Sequence, residues 1–215
     1  GTKNRMREKV AASDLFKDRK ANYPKSISHP FKGDYVKLRQ NTKWKKIACE
    51  TNDQHLIFAD IVMKINRKNG KMVPNLFVLS TNAMLVMDQR TLAIKYRVPV
   101  AEIEALSLSP FNDRIVVFHL ERQENGNILT KKGDFLLSSD HVIEIVSKIY
   151  LLVQNAVSRK PPVHITTQMQ TTMSGHPVEV SFKSGIPEIL PGTVKITRKG
   201  SKIEVCEPCP HSAWG

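Results

Sequence analysis

The chain has 215 residues, with 33 Lys/Arg against 20 Asp/Glu and a formal net charge of +13. At 40% hydrophobic it can bury a core, which excludes a globally disordered chain. No apolar run reaches the ~20 residues that a membrane-spanning helix needs. Cys49, Cys206 and Cys209 are too few and too odd in number for a disulfide framework and fit a reducing compartment. No apolar leader follows the basic N-terminal residues, so a cytosolic protein is expected. The charge is uneven: residues 1–50 hold fourteen Lys/Arg against five Asp/Glu, which is +9 of the total. Such a basic third calls for an acidic partner: anionic lipid, nucleic acid or an acidic protein.

Residues 3–20 lack Pro and Gly and are rich in Lys, Arg, Glu and Ala, which predicts a helix. Met6, Val10, Leu15 and Phe16 supply its apolar stripe, and Pro24 and Pro30 end it. Lys43, Lys45 and Lys46 surround Trp44. That cluster suits either a membrane interface or, with the better odds, a core Trp ringed by solvated lysines. From Phe31 onward the period becomes that of strands, with runs over 56–65, 75–81, 83–87, 93–100, 103–108, 114–121 and 128–137. Turn signals such as Asn69-Gly70, Asn112-Asp113 and Asn125-Gly126 separate them.

The first two strands form the most informative feature. Asn69-Gly70 supplies the positive-φ positions of a tight hairpin. Lys64, Arg67, Lys68 and Lys71 crowd the connection, and no carboxylate lies between Asp60 and Asp88. A hairpin that concentrates cations at its tip is suited to gripping phosphate groups.

A helix follows the seventh strand. Ser139 and Asp140 can cap it, and Val142, Ile145, Val146, Ile149, Leu152, Val153 and Ala156 give it a wide apolar face. Arg159-Lys160 suit its C-terminal dipole, and Pro161-Pro162 stop it. Strand patterns return over 163–169, 177–183 and 193–205, the last a hairpin with Lys199-Gly200-Ser201 at its tip. The expected fold class is mainly β with flanking helices. It is a seven-stranded antiparallel barrel or sandwich capped by a helix, with an N-terminal helix and extra C-terminal strands. The expected division is a basic helix and linker over 1–30, the capped barrel over 31–160 and a β extension over 161–215.

Signals for chemistry are weak. Cys206-x-x-Cys209-x-His211 lacks the four ligands of a structural zinc site, and no metal or other cofactor is expected. Gly70-Lys71 is followed by Met72, so no phosphate-binding loop is present. There is no Gly-x-Ser-x-Gly elbow. His119 and His141 stand alone in sequence, and Asp134 has no evident base beside it. Catalysis by this chain is not expected.

Seven strands, a closing helix and a basic hairpin between the first two strands resemble a pleckstrin-homology (PH) domain. The match goes further. Residues 9–26, with Leu15-Phe-Lys-Asp-Arg-Lys20 at their centre, then Phe31-Lys-Gly-Asp-Tyr35, Ser107-Leu-Ser109 and residues 132–144 (Lys-Gly-Asp-Phe-Leu-Leu-Ser-Ser-Asp-His-Val-Ile-Glu) resemble the tail homology 1 domain of class I myosins. The resemblance covers nearly the whole chain. The lack of a following SH3 domain or Gly/Pro/Ala-rich region points to the short-tailed branch.

The resemblance implies a peripheral attachment module. It would hold an actin-based motor to anionic phospholipids or phosphoinositides at the plasma membrane or on vesicles. Actin and calmodulin would engage parts of the parent protein outside this chain, and a protein cargo is possible. The PH phosphoinositide pattern implies a Lys near the end of the first strand, met by Lys64, and a Lys/Arg-x-Arg on the second, where Val73-Pro74-Asn75 has no cation. Asn cannot form the charged fork that holds phosphate bidentately. Diffuse binding through Lys64, Arg67, Lys68 and Lys71, helped by Lys95 and Arg97, is the mode expected. The alternative is a PH-like interaction module for an acidic adaptor or receptor tail. Specific nucleic-acid binding ranks last, because aromatics are only 7% and no stacking motif accompanies the charge.

Overall fold

The hairpin anchors the architecture. In the computed structural model, which describes residues 2–121 and 133–210, β1 (Leu56–Ile65) pairs antiparallel with β2 (Met72–Ser80) in a register running from Leu56 opposite Ser80 to Ile65 opposite Met72. The connection is longer than a two-residue turn. The Gly70 amide donates to Asn66 O (2.9 Å) and the Asn66 amide to Lys71 O (2.8 Å). Gly70 has φ +73°, whereas Asn69 does not take positive φ. The expected tight Asn-Gly turn is therefore a wider loop over 66–71. Asn66 and Asn69 stabilise it by accepting from the Lys68 and Lys71 amides through their side chains (2.8 and 2.9 Å).

β3 (Ala83–Met87), β4 (Ile94–Pro99), β5 (Ile103–Leu108), β6 (Ile115–Leu120) and β7 (Phe135–Ser138) complete the seven antiparallel strands. α4 (Val142–Val157) follows. The strand order β4-β3-β2-β1-β7-β6-β5 is extended by β8 (Val163–Ile165), which joins β5 in parallel. The sheet bends over α4 without closing, so the PH-like expectation is met as a sandwich rather than a barrel. The turn at Asn125-Gly126 and the first part of the strand expected over 128–137 lie outside the described residues. Val142, Ile145, Val146, Ile149, Leu152 and Val153 are buried as expected, but Ala156 is exposed. Asp140 does not cap α4. Its carboxylate pairs instead with Arg114 (2.7 Å), and it is the Ser139 hydroxyl that accepts the His141 amide (3.0 Å).

α1 (Thr2–Phe16) packs on α4 and enters the main core through Ala12, Leu15 and Phe16. Met6 and Val10 are exposed (64% and 58%), so only the Leu15 and Phe16 end of the expected stripe faces the core. The buried face is set by Ala11, Ala12, Leu15 and Phe16, whose small alanines allow close helix contact. α2 (Tyr23–Ile27) is a short turn of helix. α3 (Thr42–Thr51) has no counterpart in the strand reading. Asn41 caps it by accepting from the Trp44 amide (2.9 Å), and Asn52 closes it in the left-handed conformation. Trp44 is 2% exposed and packs with Ala48, Leu76, Val78, Leu85 and Met87. It is a core anchor, not a membrane contact.

β9 (Gln168–Met173), β10 (His176–Lys183), β11 (Lys195–Lys199) and β12 (Lys202–Cys206) form a second sheet in the order β11-β12-β10-β9. Met169, Val178, Val180, Phe182, Ile203 and Val205 pack on Ile65, Ile115, Val117 and Leu136, the outer face of the first sheet. At about 25 cal/mol per Å² of apolar area, this third layer is held by an apolar seam, not by surface charge.

Candidate functional site: a basic mouth at the β1–β2 end

Side-chain alternation decides which cations meet. On β2, Phe77 and Leu79 face the main core, so Asn75 shares their face. On β1, Lys64 shares a face with Val62 and Phe58. On β4 the pairing with β3 shifts between Val86/Tyr96 and Met87/Ile94, which makes Lys95 the extra residue of a bulge. The bulge lets Lys95 join the face of its neighbour Tyr96. The Lys95 ammonium donates to Asn75 Oδ1 (2.7 Å), and Asn75 Nδ2 donates to Val73 O (3.3 Å).

Tyr96 is the platform that the sequence reading missed. Its ring stacks with Phe135 at 6.4 Å between centroids. Lys64 Nζ lies 5.1 Å from the Tyr96 centroid and 5.9 Å from that of Phe135. The Arg67 guanidinium lies 5.9 Å from both. These are cation–π distances, and they bring the two charges together over one aromatic pair. An aromatic flanked by cations, Lys95-Tyr96-Arg97, was the available signal; the bulge that makes it useful is not legible in a pattern.

The six expected contact residues separate into four groups. Lys64, over the Tyr96–Phe135 pair, and Lys95, on Asn75, lie on the same face at the mouth. Lys68 and Lys71 are exposed on the loop above it. Arg67 is a strut: its guanidinium donates to Asp134 O (2.9 Å) and Gly133 O (3.0 Å). Burial lowers its pKa from the ordinary value, opposed by a hydrogen bond with Tyr96 and the nearby Asp134 carboxylate. Arg97 leaves the group. It faces the opposite side of β4 and pairs with Asp53 (2.9 and 3.1 Å), while also donating to Thr51 O (3.0 Å). Asp53 is fully buried and also accepts from Ser80 Oγ (2.5 Å). Burial alone would raise its pKa, but the bonds from Arg97, Ser80 and Thr51 outweigh that and lower it.

His119 is not isolated. Ser107 Oγ lies 2.7 Å from its Nε2, and Asp134 Oδ2 lies 3.6 Å from its Nδ1. The arrangement is a strap rather than a nucleophile. Ser107 is 1% exposed, and both Asp134 oxygens already accept backbone amides, from Leu120 and Thr172 (2.9 Å each). Cys206 donates to Glu204 (3.3 Å), Cys209 is exposed and His211 lies outside the described residues. Among the described residues no His/Cys/Asp/Glu group has metal-site geometry, and no helix is long and apolar enough to cross a membrane.

The family model described as "Unconventional myosin tail, actin- and lipid-binding" matches residues 22–210. The chain belongs to the unconventional myosin tail family. Unconventional myosin-Ib of Mus musculus is 38% identical over 178 residues, covering 83% of this chain and 16% of the relative. Unconventional myosin-Ia of Gallus gallus is 32% identical over 202 residues, covering 94% and 18%. The chain thus spans about one sixth of the length of these curated relatives. Among solved structures, the Slm1 PH domain in complex with inositol-4-phosphate is 13% identical with a TM-score of 0.35, covering 46% of this chain and 95% of that one. The hSac2 domain of human phosphoinositide phosphatase Sac2 is 10% identical with a TM-score of 0.39, covering 59% and 90%. The family description puts actin binding in the myosin tail itself, whereas the sequence reading had assigned actin only to regions outside this chain.

Proposed function

We propose that this myosin tail is a peripheral membrane anchor whose contact surface is the basic mouth and loop at the β1–β2 end. The observation that carries the reading is that Lys64, over Tyr96, and Lys95, on Asn75, share one face of the sheet at the end that carries the exposed loop lysines Lys68 and Lys71, with no carboxylate between Asp60 and Asp88. Asn75 does not complete a phosphate fork. It accepts from Lys95 and so sets a β4 cation at the mouth instead. The mode is diffuse attraction to anionic headgroups, phosphoinositides included, rather than capture of one headgroup.

The magnitude is modest. About 1 kcal/mol per surface cation gives roughly 4 kcal/mol for Lys64, Lys68, Lys71 and Lys95, a dissociation constant of about 1 mM on a simple scale. Arg67 and Arg97 contribute less, because their hydrogen bonds are committed within the fold. Attachment would be reversible, at the cytosolic face of the plasma membrane or of vesicles. The ATPase motor and calmodulin contacts would belong to the rest of a longer protein.

Co-sedimentation with neutral, phosphatidylserine and phosphatidylserine/phosphatidylinositol 4,5-bisphosphate vesicles tests this. Binding should track total negative charge and fall strongly in Lys64/Lys68/Lys71→Ala. A preference for phosphoinositide abolished by Lys64→Ala alone would replace diffuse attraction with a selective pocket. Absence of binding to every anionic vesicle would transfer the surface to an acidic protein partner.

A further inference from the structure

The loop over 66–71 does not stand alone. Arg198 on β11 donates from Nη1 to Arg67 O (2.6 Å) and from Nε to Gly200 O (2.7 Å). One guanidinium therefore holds the tips of both hairpins, β1–β2 and β11–β12. Gly70 packs so closely on β11 that a Cβ there would sit 3.0 Å from Ile196 O. The junction is backbone against backbone, with no linker between the tips.

Charge on the second tip matches that on the first. Lys199 and Lys202 are exposed and directly opposite each other in the β11–β12 register. Two carboxylates on the neighbouring strands offset part of this charge: Glu204 pairs with Lys183 (3.0 Å) and also feels Lys199, and Glu179, opposite Lys202 in the β10–β12 register, accepts from Gln170 Nε2 (3.2 Å). Lys68, Lys71, Lys199 and Lys202 thus belong to two adjoining tips fixed to each other. Exposed charges act over a Debye length of about 8 Å, so the two tips present a joint cationic surface to an anionic one that approaches them.

We propose that the β11–β12 tip is the second half of the membrane contact, with Lys199 and Lys202 reaching the same anionic bilayer as Lys68 and Lys71. This rests on the membrane reading above. It assigns the C-terminal sheet a binding role. Because the two tips are rigidly joined, their contacts act as one event, without linker entropy. The two added lysines should tighten vesicle binding about 30-fold, from about millimolar to tens of micromolar.

The test uses phosphatidylcholine vesicles with and without 40% (about that fraction) phosphatidylserine, and the variants Lys68/Lys71→Gln, Lys199/Lys202→Gln and Lys199/Lys202→Arg. Each Gln pair should weaken binding about 30-fold and flatten its salt dependence, while the Arg pair keeps it. Thermal unfolding should be unchanged, since both lysines are exposed. Wild-type binding by Lys199/Lys202→Gln beside a loss in Lys68/Lys71→Gln would overturn this inference and leave the membrane reading intact. Failure of the wild-type protein to bind phosphatidylserine vesicles would overturn both.

Discussion

Arg97 separates a structural cation from the proposed lipid-binding ones. Its side chain is 24% exposed and that of Asp53 is 0%. Replacing it by Gln removes a two-pronged ion pair and the bond to Thr51 O, and leaves a buried carboxylate supported by Ser80. Breaking a buried pair costs about 3–5 kcal/mol. Partial exposure of Arg97 and the remaining Ser80 bond reduce this to about 2–3 kcal/mol. For a chain of this length that is a fall in Tm of roughly 4–12 °C. Thermal unfolding by circular dichroism measures it, and vesicle co-sedimentation well below Tm should show binding within twofold of wild type. The pH dependence adds a check. The folded-state pKa of Asp53 lies below its unfolded value, so its stabilisation is present above the unfolded pKa of about 3.9 and is lost as pH falls through the folded one. Arg97→Gln should therefore lose its disadvantage in acid. An unchanged Tm together with a large loss of lipid binding would refute the assignment and return Arg97 to the contact surface.

Other expectations follow from the same contacts. Arg67→Lys should cost about 1–2 kcal/mol in chemical denaturation, because an ammonium cannot reproduce the paired bonds to Gly133 O and Asp134 O; an unchanged midpoint would argue against the strut. Gly70→Ala meets both a positive φ and Ile196 O, so a loss of about 1–3 kcal/mol is expected from the same assay. Lys20→Ala should cost about 3 kcal/mol, since the buried ammonium donates to Phe111 O (2.8 Å) and lies 3.8 Å from the buried Asp113; Lys20→Met with Asp113→Asn should recover much of it. Burial raises the pKa of Asp60. The folded state then holds its proton more tightly than the unfolded one, so this carboxylate opposes stability at neutral pH. Asp60→Asn should raise Tm slightly at pH 7, and the gain should vanish below about pH 4.

Periodicity made much of the fold legible. Short apolar runs over 56–65 and 83–87, turn dipeptides between the runs and the apolar stripe from Val142 to Val153 follow from side-chain geometry alone. Tertiary choices escaped it. Of the expected stripe on α1, Leu15 and Phe16 are buried but Met6 and Val10 are not, and Ala11 and Ala12 complete the buried face because small residues allow α1 to sit close on α4. α3 was hidden by its short length and many lysines, although Asn41 was a readable cap. Asp140 looked like a cap, but the position of Arg114 on a distant loop decided otherwise. Such outcomes depend on contacts far apart in sequence, which no local pattern contains.

The site shows the same boundary at finer scale. Lys64, Lys68 and Lys71 could be grouped by sequence because a hairpin brings its own ends together. Lys95 and Arg97 are two apart and by alternation should share a face. The bulge at Lys95 breaks that alternation and sends the two to opposite sides of β4, one to Asn75 and one to Asp53. Asn75 was noticed only as a missing Arg, yet its carboxamide positions a neighbouring strand's cation. The departure from the PH pattern thus changes how charge is placed rather than removing it. Lys64 lies over the Tyr96–Phe135 pair and Lys95 against Asn75, so in the proposed anchor the charge is spread over two strands and a loop instead of being gathered in one fork.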